Sequence, residues 1–184
     1  MQSKAFGRLI RRLVILVPCL LTPVLLPLPG AADEVADQAG DVVRGAVTNL
    51  PLPRYVSLKT DDANARRGPS LAYRIDWLFR RRNMPLRITA EFSNWRRVED
   101  SEGQGGWVNY SLLSGVRTVV VVADRTPLRS QPDTAASTVA EAEQGVVGRL
   151  GECQREWCSI TASGERGWVQ KSELWGVDAE ELRD

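Results

Sequence analysis

The chain has 184 residues, of which 24 are Lys or Arg and 23 are Asp or Glu, giving a net charge of +1, and it contains no histidine. The absence of histidine excludes every catalytic triad or dyad with a histidine base and every histidine metal ligand. A charge so close to zero gives no support for a nucleic-acid partner, which would call for a surplus of basic residues.

Residues 1–32 have the three-part pattern of a secretory signal peptide. The basic stretch "MQSKAFGRLIRR" is followed by the apolar run "LVILVPCLLTPVLLPLP" and by small residues at Gly30 and Ala32. The alternative is an uncleaved membrane anchor, but four prolines in this segment disfavour a continuous spanning helix. We therefore expect cleavage after Ala32, no stable membrane span afterwards, and a periplasmic or secreted protein.

Removal of residues 1–32 takes away four basic residues and no acidic residue, which leaves 20 basic against 23 acidic residues and a net charge of −3. The balance still offers no support for binding nucleic acid. Residues 33–53 are polar and alanine-rich up to the prolines Pro51 and Pro53. We predict a spacer here, either flexible or containing a short helix.

An internal repeat covers most of the remaining chain. Arg67 and Arg129 lie 62 residues apart, as do Trp95 and Trp157, while Trp107 and the second "GWV" tryptophan lie 61 apart. A register shared over more than fifty residues indicates two copies of one structural unit.

Each copy is predicted to consist of short strands separated by turns rich in Gly, Pro, Asn and Asp. In copy one we predict strands at 55–59, 63–67, 76–79, 86–92, 95–99 and 107–109, and in copy two at 118–123, 127–130, 146–153, 157–161 and 168–170. Several short strands in about sixty residues suit a small closed barrel. The prediction is an all-β fold with barrels at 54–116 and 117–177, followed by an acidic tail at 178–184 that frays or forms one helical turn.

The stretches "ANARRGPS", "NWRRV" and "GGWVNYSLL" of copy one resemble the bacterial SH3-like domain family. The matching residues are Asn64, Arg67, Gly68, Pro69, Trp95, Val98, Gly106, Trp107 and Val108. In copy two Thr126 stands for the asparagine, and Ser130 and Gln131 stand for Gly-Pro. The resemblance implies two small SH3-like β-barrels and a non-catalytic module of an exported protein, of a kind often linked to cell-wall or peptide binding.

Alternation along the strands predicts which side chains face the core. In "NWRRVED" Val98 lies opposite to Trp95, and in "EWCSIT" Ile160 lies opposite to Trp157, because successive side chains of a strand point to opposite faces. We expect the valine and the isoleucine in the cores, with the tryptophans on the outer or bordering face.

Cys153 and Cys158 are a disulfide candidate, since exported proteins mature in an oxidising compartment. The residues 62 positions earlier are Glu91 and Arg96, so one copy has two thiols where the other has opposite charges. We predict that these positions face each other on adjacent strands, with a disulfide in copy two and an exposed ion pair in copy one.

The ligand-binding candidates lie in copy one. Its aromatic residues form a possible groove: Tyr73, Trp77, Trp95, Trp107 and Tyr110. The alternative is that the tryptophans present in both copies cover the barrel ends and the seam between the barrels. The cationic run Arg80, Arg81 and Arg82 has no counterpart in copy two and is either a solvated turn or a contact for an anionic surface.

No catalytic residues, cofactor or metal site are predicted. The adjacent carboxylates Glu99 and Asp100 point to opposite faces of a strand, and "GQGG" lacks the elements of a phosphate loop. We expect a non-catalytic exported binding module for cell-wall peptidoglycan or its peptide stems. The alternative is a protein–protein adaptor or regulatory module for an envelope protein.

Overall fold

The computed structural model describes residues 42–184. The predicted signal peptide and the first nine residues of the spacer lie outside the described residues. The described part is all-β, as predicted, and its helices are limited to the three-residue 3-10 turns Tyr110–Leu112 and Lys171–Glu173. Neither turn has the length or the apolar character needed to cross a membrane.

The first barrel is a seven-stranded antiparallel sheet. Its strands are β1 (Arg54–Leu58), β2 (Ala63–Arg66), β3 (Ile75–Phe79), β4 (Pro85–Phe92), β5 (Trp95–Glu99), β6 (Gly105–Asn109) and β7 (Leu113–Ser114). The hydrogen-bonded order is β3-β2-β6-β5-β4-β1-β7, so β3 and β7 lie at the two ends of the sheet.

The second barrel repeats this topology. Its strands are β8 (Thr118–Val121), β9 (Arg125–Arg129), β10 (Thr138–Glu143), β11 (Val147–Cys153), β12 (Trp157–Ala162), β13 (Glu165–Gln170) and β14 (Leu174–Trp175), in the order β10-β9-β13-β12-β11-β8-β14. Strand β10 was missed by the sequence prediction because alanine and glutamate are poor strand formers. Antiparallel pairing with β9 along its whole length overrides that low propensity.

Each barrel has its own hydrophobic core. Val98 and Val108 are buried in the first core and Ile160 and Val169 in the second, as strand alternation predicts. Trp157 is an exception to the prediction, because it is buried while its counterpart Trp95 is only half-buried.

The offset between the copies is not constant. Arg66 Nη1 donates a hydrogen bond to the carbonyl oxygen of Tyr73 at 2.7 Å, and Arg129 Nη1 donates to that of Ala136 at 2.8 Å. These equivalent contacts lie 63 residues apart. Glu91 and Cys153, which occupy equivalent cross-strand positions in the two barrels, lie only 62 residues apart. The difference arises because the segment from Phe79 to Pro85, which carries the arginine run, is one residue longer than the equivalent segment from Ala142 to Val147.

This offset corrects part of the sequence alignment. The residues of copy two that structurally replace Ala63, Asn64, Gly68, Pro69, Tyr73 and Trp77 are Thr126, Pro127, Gln131, Pro132, Ala136 and Ala140. Thr126 therefore takes the place of a buried alanine and not of the asparagine. The Gly-Pro turn of copy one becomes Gln-Pro.

Residues 42–53, here called the N-terminal strap, form a hairpin-like turn closed by a bridge between Arg44 and Pro51. The strap is attached to Glu91 of β4. The Glu91 carboxylate accepts hydrogen bonds from the N–H groups of Val47 at 3.0 Å and Thr48 at 2.8 Å. It also accepts one from the Thr48 hydroxyl at 2.7 Å.

The same carboxylate lies between two guanidinium groups. Arg54 Nη2 is 2.5 Å and Arg96 Nε is 3.5 Å from its Oε1 atom, and the Glu91 side chain is 0% exposed. Burial alone would raise the pKa of Glu91, but the hydrogen bonds from Thr48, Arg54 and Val47 outweigh it and lower the pKa to about 2. The predicted pairing of Glu91 with Arg96 is confirmed, while its predicted exposure is wrong because the strap covers it.

The equivalent positions of the second barrel carry the disulfide Cys153–Cys158, as predicted. The two cysteines are a cross-strand pair of β11 and β12, and both are buried. In the acidic tail the N–H group of Glu181 donates a hydrogen bond to the carbonyl oxygen of Asp178 at 3.1 Å, which closes a single turn. Cys153 exchanges two backbone hydrogen bonds with Arg183, which adds the tail to the edge of the barrel at this point.

Only residues 115–117 separate β7 of the first barrel from β8 of the second. Arg117 is fixed by Glu181, at 2.9 and 3.0 Å, and by the carbonyl oxygen of Gly176 at 2.8 Å. Its guanidinium also lies 5.4 Å from the ring centre of Tyr55, which meets Trp175 edge to face at 5.3 Å. The barrels are thus joined by direct packing as well as by the chain.

Candidate functional site

Exposed aromatic and large aliphatic side chains are concentrated on the first barrel. They are Leu71, Tyr73, Ile75, Trp77, Leu78, Phe92 and Tyr110, against Val122 and Val139 on the second barrel. Small soluble domains seldom expose so many large apolar side chains, so their enrichment on the first barrel is typical of a binding surface.

Trp95 lies in the floor of a shallow groove, here called the Trp95 groove. It begins β5, directly after the tight turn at Ser93, and shares cavities of about 180 Å³ and 420 Å³ with Leu71 and Asn109. Phe92 lines the larger cavity and is 58% exposed. The groove thus runs between the loop after β2 and the β4–β5 turn.

Trp77 lies in a separate depression on the edge strand β3. Ile75, Asp76, Leu78 and Arg80 line the same depression of about 330 Å³. The structure does not bring Trp77 and Trp95 into one cavity, so the predicted aromatic groove is divided into two apolar surfaces.

The remaining aromatic candidates have structural contacts. The ring of Tyr73 packs on Gly68, leaving no space for a side chain there. The ring of Tyr110 lies 5.8 Å from the Arg96 guanidinium, a cation–π contact with one of the two arginines that pair with Glu91. Trp107 is half-buried on β6, opposite Arg66 and Arg97 of the neighbouring strands.

The arginine run is also divided. Arg80 lines the Trp77 depression, whereas Arg81 and Arg82 line a cleft between the two barrels. Arg82 is paired with Asp61 at 3.1 Å, and Arg81 donates a hydrogen bond to the carbonyl oxygen of Gly145 in the second barrel. The run therefore serves two surfaces rather than one.

A carboxylate at the apolar edge is held in its charged form. Asp76 accepts hydrogen bonds from Arg67 at 3.0 Å and Arg74 at 2.7 Å. The hydrogen bond from Arg67 is the main reason that the pKa of Asp76 lies below its usual value. Arg67 and Arg74 share this single carboxylate, so the edge beside Trp77 keeps a positive charge.

Leu71 and Phe92 are binding candidates that sequence reasoning missed. Phe92 ends a strand predicted at the right place, and alternation places it opposite to the buried Glu91, hence outside. Leu71 lies in an irregular loop where no periodicity applies, and only the three-dimensional fold brings it to Trp95.

Within the part of the chain that the structure describes, no three Cys, Asp or Glu residues lie close enough together to hold a metal ion. Both cysteines of the second barrel are joined in the disulfide. The arrangement of residues 42–184 offers apolar contact surfaces flanked by guanidinium groups.

Comparison with known proteins gives one family. A model of the bacterial SH3 domain matches the chain twice, at residues 59–115 and 122–176. No curated protein matches the chain. Among solved structures, NlpC2 and NlpC1 from Trichomonas vaginalis are each similar at 14% identity with a TM-score of 0.32, over 68% and 71% of this chain. The chain spans about half of their length, 50% and 48% respectively.

Proposed function

Because the chain belongs to the bacterial SH3 domain family, we propose that it is an exported, non-catalytic binding module that recognises peptidoglycan or its peptide stems in the cell envelope. The main observation in support is the difference between the two barrels. They share topology and core, yet only the first carries exposed aromatic rings. Ala140 takes the place of Trp77 in the second barrel, so packing within a barrel does not require the Trp77 ring.

The chemistry of the Trp95 groove suits such a ligand. Flat aromatic faces stack on sugar rings and on extended peptide, and half-exposed rings retain this surface for a partner. Arg66 and Asn109 line the groove beside the rings. A guanidinium group binds the carboxylates of a peptide stem through two parallel hydrogen bonds.

Co-sedimentation with purified peptidoglycan sacculi tests this proposal. Phe92→Ala and Trp77→Ala should each weaken sedimentation, because loss of one stacking ring costs about 1 kcal/mol, or roughly fivefold in Kd. Val139→Ala is the matched control, since it removes an exposed apolar side chain from the second barrel. Absence of sedimentation, or equal losses in all three variants, would contradict the proposal.

A protein–protein adaptor is the second candidate, and strand β3 favours it. This strand ends the sheet and exposes Ile75, Trp77 and Leu78. An uncovered edge strand can pair with an extended segment of another protein. An adaptor should not co-sediment with sacculi and should be recovered with one envelope protein after crosslinking. The variant Leu78→Lys, which places a charge on the edge strand, should no longer crosslink to that partner.

A further inference from the structure

A row of three side chains crosses the outer face of the second barrel. Arg149 of β11 pairs with Thr118 of β8 on one side and with Thr161 of β12 on the other. Directly paired residues of adjacent strands share one face of the sheet. Arg149 is exposed, and within residues 42–184 it has no carboxylate in ion-pair distance.

The equivalent row of the first barrel has its own counter-ion. There Arg87 pairs with Tyr55 of β1 and Glu99 of β5. Arg87 Nε donates a hydrogen bond to Glu99 Oε1 at 2.8 Å. The two copies therefore keep the arginine, but the second copy has a threonine, Thr161, where the first has the carboxylate.

The unpaired arginine of the second barrel faces the arginine run of the first. The residues that line this cleft of about 350 Å³ include Arg81, Arg82, Thr118, Gly148, Arg149 and Thr161. The Thr118 hydroxyl donates to the carbonyl oxygen of Asn83 at 2.8 Å, which fixes the β3–β4 turn against the second barrel. Both walls of the cleft are thus held in place by the join between the barrels.

The charge of this cleft is not balanced by the protein. Of its three guanidinium groups, Arg82 is offset by Asp61, whereas Arg81 and Arg149 have no acidic partner among residues 42–184. Arg81 uses one N–H for the carbonyl oxygen of Gly145, at 2.6 Å, and has others available. Two positive charges remain for a ligand.

We propose that the inter-barrel cleft binds a compact dianionic oxyanion group, phosphate or dicarboxylate, through Arg81 and Arg149. Guanidinium forks match the oxygen pairs of both groups, and a dianion balances the two free charges. The Thr161 hydroxyl, at the position equivalent to Glu99 of the first barrel, adds a hydrogen-bond donor. This site is distinct from the Trp95 groove and extends the proposed function to a second ligand group.

Titration of the purified protein with inorganic phosphate and, separately, with glutarate tests the site. Binding is followed by the backbone amide signals of Gly148 and Thr161 in NMR spectra. At least one anion should shift these signals saturably, and added salt should weaken its binding. The anion that binds more tightly identifies the chemistry of the natural group as phosphate or carboxylate.

Variants assign the binding to individual residues. Arg149→Gln and Arg81→Gln should each weaken the anion at least about tenfold, since each removes a charge-assisted contact. Thr161→Glu should also weaken binding at least about tenfold, because the new carboxylate would neutralise Arg149. The first barrel tolerates the same arrangement in its Arg87–Glu99 pair, so this variant should still fold. Arg155→Gln is the matched control, an equal loss of charge outside the cleft, and should bind as the parent does.

The proposal is overturned if neither anion shifts the two amides, or if Arg149→Gln and Thr161→Glu bind as tightly as the parent. Failure here is separable from failure of wall binding. Phe92→Ala and Trp77→Ala should leave anion affinity unchanged, and the cleft variants can be tested for anions whether or not the protein sediments with sacculi.

Discussion

Replacing Glu91 by glutamine tests the most heavily bonded side chain of the first barrel. The change keeps the volume of the side chain but removes the charge between Arg54 and Arg96. The pKa of Glu91 falls from an ordinary 4.5 to about 2 in the folded protein. At about 1.36 kcal/mol per pKa unit, the charged carboxylate stabilises the fold by about 3 kcal/mol, and the variant should lose most of that free energy of unfolding at pH 7.

Urea titration followed by tryptophan fluorescence measures this loss. Because the folded-state pKa of Glu91 is depressed, its contribution is fully present above about pH 4.5 and is lost as the pH falls to about 2. The parent should therefore lose about 3 kcal/mol more than Glu91→Gln over this interval. Glu99→Gln is the control, because its partly exposed pair with Arg87 should contribute about 1 kcal/mol or less. A loss below about 0.5 kcal/mol in Glu91→Gln, with an unchanged acid response, would refute the reasoning.

Three further predictions concern the packing of the barrels. Gly68→Ser should destabilise the protein by about 1 kcal/mol and lower its melting temperature, because the new side chain meets the Tyr73 ring. Adding Tyr73→Ala to this variant should restore most of the lost stability, and calorimetry measures both melting temperatures. Changing Cys153 and Cys158 to serine should cost about 2 kcal/mol, since the closed ring is short, and mass spectrometry of the unreduced parent should find no free thiol there. Glu181→Gln should release the tail from its arginine partner, so that the Cys153 amide exchanges hydrogen faster than in the parent; equal exchange would contradict a role for the ion pair.

The fold was largely predictable because its determinants are local. Alternation around Val98 and Ile160 places one side chain of each hairpin in the core whatever surrounds the barrel. The disulfide and its acidic–basic counterpart followed from comparing the copies at equal spacing, which holds over β4 and β5.

The parts that failed depend on contacts distant in sequence. Glu91 was predicted to be exposed because its covering strap lies more than forty residues earlier and has no strand pattern. The sequence alignment of the two copies is shifted by one residue before the arginine run, because the extra residue in that run does not alter the motif residues on either side of it. Arg80 lies on a different surface from Arg81 and Arg82 because of where the second barrel packs, and the pattern of a single strand carries no information about that packing.

The three-residue link between the barrels has a consequence for any ligand that reaches both of them. With Arg117 held by the tail and by Tyr55, the Trp95 groove and the inter-barrel cleft lie at a fixed separation. The entropic cost of aligning two sites is met when the protein folds, so a ligand of matching length gains affinity from both sites without ordering a linker. A ligand too short or too long gains nothing from the second site. The rigid join between the barrels thus makes affinity depend on the length of the ligand.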